Sequence, residues 1–142
     1  MSNLLKLENQ VCFPVYSLAK EIVSRYRPFL EELDVTYPQY LVLLVLWEHR
    51  QQTVSQIGEK LHLDSGTLTP LLKRMEQKNL VTRMRDTGDE RVVNILLTPE
   101  GSLLQQRAKV VPEKLVENLH VSTEELLLLK NVIETILSNL NK

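Results

Sequence analysis

Cysteine is nearly absent from this chain, and so are glycine, aromatics and any excess of charge. One cysteine, Cys12, stands among 142 residues with four glycines and 5% aromatics. A lone thiol excludes an intrachain disulfide. The three histidines, His49, His62 and His120, are scattered and do not read as metal ligands. No apolar run approaches the eighteen or so residues of a membrane span. Met1 to Gln10 carries acidic and amide residues where a secretion signal needs an apolar core, so the expected location is cytoplasmic. With 17 basic and 18 acidic residues the net charge is -1, which excludes a polycationic protein. Any nucleic-acid surface must come from local asymmetry. The length suits one domain, able to bury roughly 68% of its extended surface without a disulfide or a metal.

What is present is a succession of helix signals. From Val11 to Leu33 apolar residues recur at helical spacing. Pro14 suits a first turn, so the firm helix is expected near Phe13, with Cys12 at or just before its N-terminus. Pro28 is expected to kink or end it, leaving Phe29 to Glu32 as a separate turn. Thr36-Tyr-Pro-Gln39 reads as a capping box before the apolar run Tyr40 to Trp47, a central core helix for which a strand is the rival. A second box, Thr53-Val-Ser-Gln56, opens a short helix through Leu61.

After a break at His62 to Asp64 comes the most informative stretch, Leu61 to Leu80. Asp64 can cap a helix whose first turns, Ser65, Gly66, Thr67 and Thr69, are small and hydroxyl-rich. Leu68, Leu71, Leu72 and Met75 form its apolar stripe, and Lys73, Arg74 and Lys78 decorate the rest. Pro70 removes the bond to Gly66 and is expected to bend it. Val81 to Arg85 and Val92 to Leu96 alternate around the turn Asp86 to Arg91, which predicts a two-stranded wing. Thr98-Pro99 starts a long helix to about Leu119. Ser122 caps a last helix with Leu126, Leu129, Ile133, Ile136 and Leu140 on one stripe, widened by Leu127, Leu128 and Leu137.

The expected fold is mainly α (α+β), a winged helix-turn-helix with N- and C-terminal dimerisation helices. Residues 1–142 form a single domain, with 36–98 as the DNA-binding region and 1–33 and 99–142 as dimerisation helices. The last helix carries more apolar surface than a monomer of this length easily hides. Intrachain packing is the plainer alternative.

Arg50 to Thr98 holds eight basic and six acidic residues, a local +2 against -3 elsewhere. The sign favours DNA, but the order of elements is the stronger argument. A helix N-terminus offers free N–H groups to a phosphate. Ser65, Thr67 and Thr69 can meet phosphates or base edges, and Arg74 phosphates. Arg91, near the wing tip, can enter an adjacent minor groove. Asp64 serves first as a cap. Solvation or capping is the ordinary role of every one of these polar residues.

A lone cysteine is usually a buried small hydrophobe. Here the free N–H groups of a helix start favour a thiolate at Cys12, and Phe13 and Tyr16 flank it. Tyr26 lies fourteen residues on, about 21 Å along one straight helix, so it can reach Cys12 only from a second chain. Two phenols, Tyr26 and Tyr37, donating to one thiolate would stabilise it.

Leu7 to Gly101 resembles the multiple-antibiotic-resistance-type (MarR) family of winged-helix repressors, and within it the organic-hydroperoxide-sensing branch. The resemblance rests on Cys12-Phe-Pro-Val-Tyr16, Val35-Thr-Tyr-Pro-Gln-Tyr-Leu-Val42, Leu63-Asp-Ser-Gly-Thr-Leu-Thr-Pro-Leu-Leu-Lys-Arg74, and Asp89-Glu-Arg91 leading to Leu97-Thr98. It implies a homodimer on palindromic double-stranded DNA, with an organic hydroperoxide as effector and no cofactor. The sensor cysteine falls on Cys12 and the activating tyrosines on Tyr26 and Tyr37. Phe13 and Tyr16 match the peroxide pocket. Asp64, Ser65, Thr67, Thr69, Arg74 and Arg91 match the DNA-contacting set. Pro14 departs from the small residue or serine common in the branch. The absence of a second cysteine implies the one-cysteine type, whose sulfenic acid meets a small thiol or a backbone nitrogen.

Three rivals stay open: a thiol peroxidase, a repressor of the same fold governed by a non-covalent small ligand, and a helical interaction module. No His, Asp or Glu stands beside Cys12 at a recognisable catalytic spacing, which argues against the first.

Overall fold

The computed structural model of the chain describes residues 2–141. Two compact units result, Met1–Lys109 and Val110–Lys142.

The first unit opens with two 3-10 turns, Ser2–Leu5 and Leu7–Asn9, where a loose start is the sequence expectation. Helix α1 (Cys12–Glu31) comes next, and Cys12 is its first residue. Pro28 neither ends nor separates it, which corrects the expected break. Only three helical residues lie beyond that proline, so the missing N–H costs one bond near an end that frays anyway. Helix α2 (Tyr37–His49) is closed by the Thr36–Gln39 capping box, with both reciprocal bonds made. It is central: Val42, Leu43 and Leu46 are fully buried.

Helices α3 (Val54–Leu61) and α4 (Ser65–Gln77) form the helix-turn-helix. The Thr53–Gln56 box caps α3, and His62 turns the chain with a left-handed φ of 56°. Asp64 caps α4. Pro70 stays inside α4 because Leu68, Leu72 and Met75, all fully buried, hold both flanking turns. Each such side chain contributes roughly 1.5–3 kcal/mol, comparable to what an interior proline costs.

The wing is three-stranded, not two-stranded. Strand β1 (Gln51–Thr53) pairs antiparallel with β3 (Val93–Leu97), which also pairs with β2 (Val81–Arg85). Gln51 faces Leu96 and Gln52 faces Ile95, while Arg85 faces Val93 and Val81 faces Leu97. A polar three-residue strand has no alternating signature, and its partner alone makes it a strand. The expected Val92 to Leu96 strand is displaced by one residue for the same reason.

Thr98 locks the wing to the next helix, α5 (Pro99–Ala108). Its Oγ1 donates to the Asn79 carbonyl at 2.6 Å and accepts from the Gly101 N–H at 3.0 Å. Gly101 is required there. A Cβ would stand 2.2 Å from the Leu80 carbonyl oxygen.

The single long helix expected from Pro99 to Leu119 is two helices. α5 stops at Ala108 and α6 starts at Val111, with Pro112 in its first turn. The ring of Pro112 collides with the carbonyl of Ala108 in a continuous helix. The second unit holds α6 (Val111–Leu119) and α7 (Thr123–Leu140), the latter capped by Ser122. No residue of α7 is buried, and Leu127, Leu128, Ile136 and Leu140 are all more than half exposed. Helix α1 likewise buries only Leu30 and exposes Phe13, Val15 and Leu18. Neither apolar face is covered within its own unit.

Candidate nucleic-acid interface and thiol site

The helix-turn-helix and the wing enclose a cleft of about 440 Å³. Ser65, Thr69 and Lys73 line it from α4, and Arg83, Arg85 and Arg91 from the wing side. Spacings of four put the first three on one helix face, and a spacing of two puts Arg83 and Arg85 on one strand face. Thr53, Val54 and Ser55 bring the start of α3 to the same cleft. Four cations and the N-terminal turns of two helices therefore converge on one concave surface. No carboxylate lines it among the described residues. That is anion-binding chemistry, suited to phosphates.

Carboxylates at the rim hold the cations in place. Arg83 Nε donates to Glu76 at 3.2 Å. Arg91 donates from its backbone N–H, Nε and Nη2 to Asp89. These bonds, from its side chain first, hold the Asp89 carboxyl below its usual range. Arg91 itself is 91% exposed, free to meet a partner while staying oriented. Arg85 donates to the Glu90 carbonyl at 2.8 Å.

Of the residues singled out by sequence, Ser65, Thr69 and Arg91 meet in this cleft. Thr67 and Arg74 do not line it; seven residues apart, they share another exposed side of α4. Asp64 Oδ1 accepts the Thr67 N–H at 2.7 Å. Hydrogen bonds from Thr67, side chain first, hold its carboxyl below the usual range. Lys73, Arg83 and Arg85 were outside the sequence-derived set. The period-two spacing of the arginines was the signal that could have found them.

Cys12 does not line the cleft and is exposed at the start of α1. Phe13 lines an open depression with Lys6, Leu7, Glu8 and Pro14. Tyr16 stands apart, exposed, with Lys20 Nζ 4.8 Å from its ring centre. The two do not form an enclosed pocket within one chain.

Tyr26 and Tyr37 do come together, with ring centres 4.7 Å apart. Tyr40 completes the cluster, 5.7 Å from Tyr26 and 6.3 Å from Tyr37. Its edge contact with Trp47, at 6.4 Å, leads on to an indole N–H bond to the Gly101 carbonyl at 2.9 Å. Sequence reading missed Tyr40, although its spacing of three from Tyr37 put it on the same helix face. Burial raises the Tyr26 phenol well above its ordinary value, and the neighbouring Tyr37 and Tyr40 add to the shift. Burial raises Tyr37 as well, and Tyr40 through burial and Tyr37. All three keep their protons at neutral pH. Helix α1 runs unbroken between Cys12 and Tyr26, so about 21 Å of helix separates the cysteine from Tyr26 of its own chain.

Residues 35–93 match the family model described as MarR family. The organic hydroperoxide resistance transcriptional regulator of Bacillus subtilis (strain 168) is 49% identical over 97% of this chain and 94% of its own length. The chain belongs to the MarR family. SarZ of Staphylococcus haemolyticus (strain JCSC1435), an HTH-type transcriptional regulator, is 35% identical over 94% of the chain and 90% of its own length. Among solved structures, reduced AbfR bound to DNA superposes with a TM-score of 0.81 at 36% identity, covering 99% of both chains. The winged helix of this MarR-family chain is thus the fold of a relative captured on DNA.

Proposed function

We propose that the chain is a homodimeric DNA-binding transcriptional repressor of the organic-hydroperoxide-sensing branch, acting in the cytoplasm rather than as an enzyme. The observation that carries the sensing part is the unbroken α1. It holds Cys12 at its first residue and Tyr26 fourteen residues later, beside Tyr37. Only a second copy can bring the two ends together. The exposed apolar faces of α1 and α7 are the surfaces on which such a copy would pack. The Bacillus subtilis relative's description as an organic hydroperoxide resistance regulator supports the effector class.

In this reading the Cys12 thiolate accepts hydrogen bonds from the partner copy's phenols, which burial keeps protonated. It attacks the terminal oxygen of the hydroperoxide. The O–O bond breaks, the thiolate becomes a sulfenic acid, and the alkoxide leaves and takes up a proton as the alcohol. Condensation with a small cellular thiol, or a backbone nitrogen, releases water. The added bulk displaces the tyrosines, and the spacing of the two recognition helices changes. Phosphates of palindromic duplex DNA occupy the clefts, with Ser65, Thr67 and Thr69 near base edges, Arg74 on the backbone and Arg91 in the minor groove. Asp64 remains the cap.

A specific observation favours one second reading, control by a non-covalent ligand. A cavity of about 330 Å³ lies under Tyr37, lined by Val23, Arg27, Leu30 and Val35. The experiment is operator binding at fixed salt, with and without an organic hydroperoxide and a small thiol, for the unaltered chain and Cys12→Ser. Oxidation should weaken binding at least about tenfold for the former and leave the variant unmoved. Release of DNA by oxidised Cys12→Ser refutes the cysteine's role. Release of both by an aromatic acid alone favours the ligand reading, and catalytic rather than stoichiometric loss of hydroperoxide favours a peroxidase.

A further inference from the structure

Sensor tyrosines and recognition helix sit on different elements, so displacement of one must be carried to the other by a physical connection. The last turn of α4 supplies one. Lys78, its C-cap, reaches back to the segment between α1 and α2. Its ammonium donates to the Asp34 carbonyl at 2.7 Å and to Gln39 Oε1 at 3.2 Å. The Asp34 carboxylate stands 3.9 Å away. Among the described residues no other side chain of α4 or its caps hydrogen-bonds to that segment.

The acceptors flank the start of the helix that carries Tyr37: Asp34 stands three residues before it, and Gln39 lies in its first turn. Gln39 Oε1 also accepts the Thr36 N–H, the bond that makes the capping box. Tyr37 is the first residue inside that cap, and Gln39 is 3% exposed. Asp34 holds a left-handed φ of 55° and presents its carbonyl to Lys78. An ammonium has three donors, and two are fixed on this one turn. A displacement of Tyr37 that shifts its backbone moves the cap, and the cap moves the atoms that Lys78 holds.

We propose that Lys78 is the positioning residue that couples the tyrosine cluster to the recognition helix, through the Asp34 carbonyl and the Gln39 side chain. This rests on the peroxide-sensing reading for its trigger, but the link itself does not. Linkage is reciprocal, so DNA on α4 must perturb the cluster as much as the cluster perturbs α4. The only tryptophan, Trp47, lies against Tyr40 and reports that perturbation.

The test compares the unaltered chain with Lys78→Met, Lys78→Gln and Lys78→Arg. Each is titrated with operator DNA before and after hydroperoxide and thiol treatment, with intact mass confirming complete modification of Cys12. Lys78→Met should narrow the ratio of oxidised to reduced Kd from about tenfold or more to within about twofold, and Lys78→Arg should restore it. Lys78→Gln, a neutral donor, keeps the comparison alive if Lys78→Met does not fold, and should give an intermediate ratio. A full ratio in a folded Lys78→Met or Lys78→Gln protein overturns the proposal. In parallel, operator added to the reduced, unaltered chain should shift Trp47 emission, and Lys78→Met should abolish the shift. An unchanged shift in that variant, or none in the unaltered chain, also overturns it. If the unaltered chain ignores hydroperoxide but its Trp47 shift depends on Lys78, the sensing reading fails and the link stands.

Discussion

The cations of the cleft, with Arg74, make a quantitative prediction about salt. Lys73, Arg83 and Arg85 line one concavity per chain and Arg74 meets the backbone from the other exposed side of α4, so with Arg91 in the minor groove the proposed dimer presents eight cations to the phosphates. If each neutralises one phosphate, log Kd against log salt has a slope of about 7, and affinity falls about 10⁴-fold between 50 and 200 mM salt. Arg83 must be shared with Glu76, but both side chains are partly exposed and such a pair is worth only about 0–1 kcal/mol, too little to keep the guanidinium from a phosphate. Lys73→Met removes two contacts per dimer, so the slope should drop to about 5 and the loss over the same range to about 10³-fold. Fluorescence anisotropy with a labelled operator at five salt concentrations reads both. Non-specific duplex should show the same change, because phosphates carry no sequence information. Unchanged slopes for both Lys73→Met and Arg85→Met, in proteins with unaltered melting, would show that the backbone does not run through this cleft. Arg74→Met tests the other face of α4: a drop of the same size is expected there, and an unchanged slope would confine the phosphates to the cleft.

The packing predicts two further outcomes. Gly101→Ala drives a Cβ to 2.2 Å from the Leu80 carbonyl, a rigid backbone atom, and should cost about 3 kcal/mol or more. At about 2–4 °C per kcal/mol, calorimetry should find the melting temperature lower by at least about 6 °C, and an unchanged value would mean that α5 slides freely against the wing. The tyrosine cluster predicts alkaline sensitivity. Tyr26 is raised by burial, so the unfolded chain releases this proton first. Its contribution to stability is complete below the unfolded value near pH 10 and is lost as pH rises above that towards the folded value. Denaturant midpoints measured from pH 8 to 11.5 should fall above about pH 10, and Tyr26→Phe should flatten that fall.

Much of the architecture was legible in the chain because it is written in local chemistry. The boxes at Thr36 and Thr53 and the caps at Asp64, Thr98 and Ser122 are side chains bonding three residues ahead, and each starts a helix where its spacing requires. Amphipathic spacing placed Leu68, Leu72 and Met75 inward, and the lone cysteine and its distance from Tyr26 came from counting. What the chain could not announce depended on partners far along it. Pro28 and Pro70 survive inside helices while Pro112 stands at a break, although all three lack the same N–H. Buried neighbours hold α4 together around Pro70, and the end of α1 comes too soon after Pro28 for a break to matter. Gln51 to Thr53 is a strand only because β3 offers an edge. Arg83, Arg85 and Arg91 become one site with Lys73 only when the wing folds beside α4. Tyr40 and Lys78 gain their neighbours the same way. Capping and periodicity act over a turn or two, so sequence alone determines them. Strand pairing, proline tolerance and the meeting of charges are set by contacts between distant segments, and only the tertiary structure decided them.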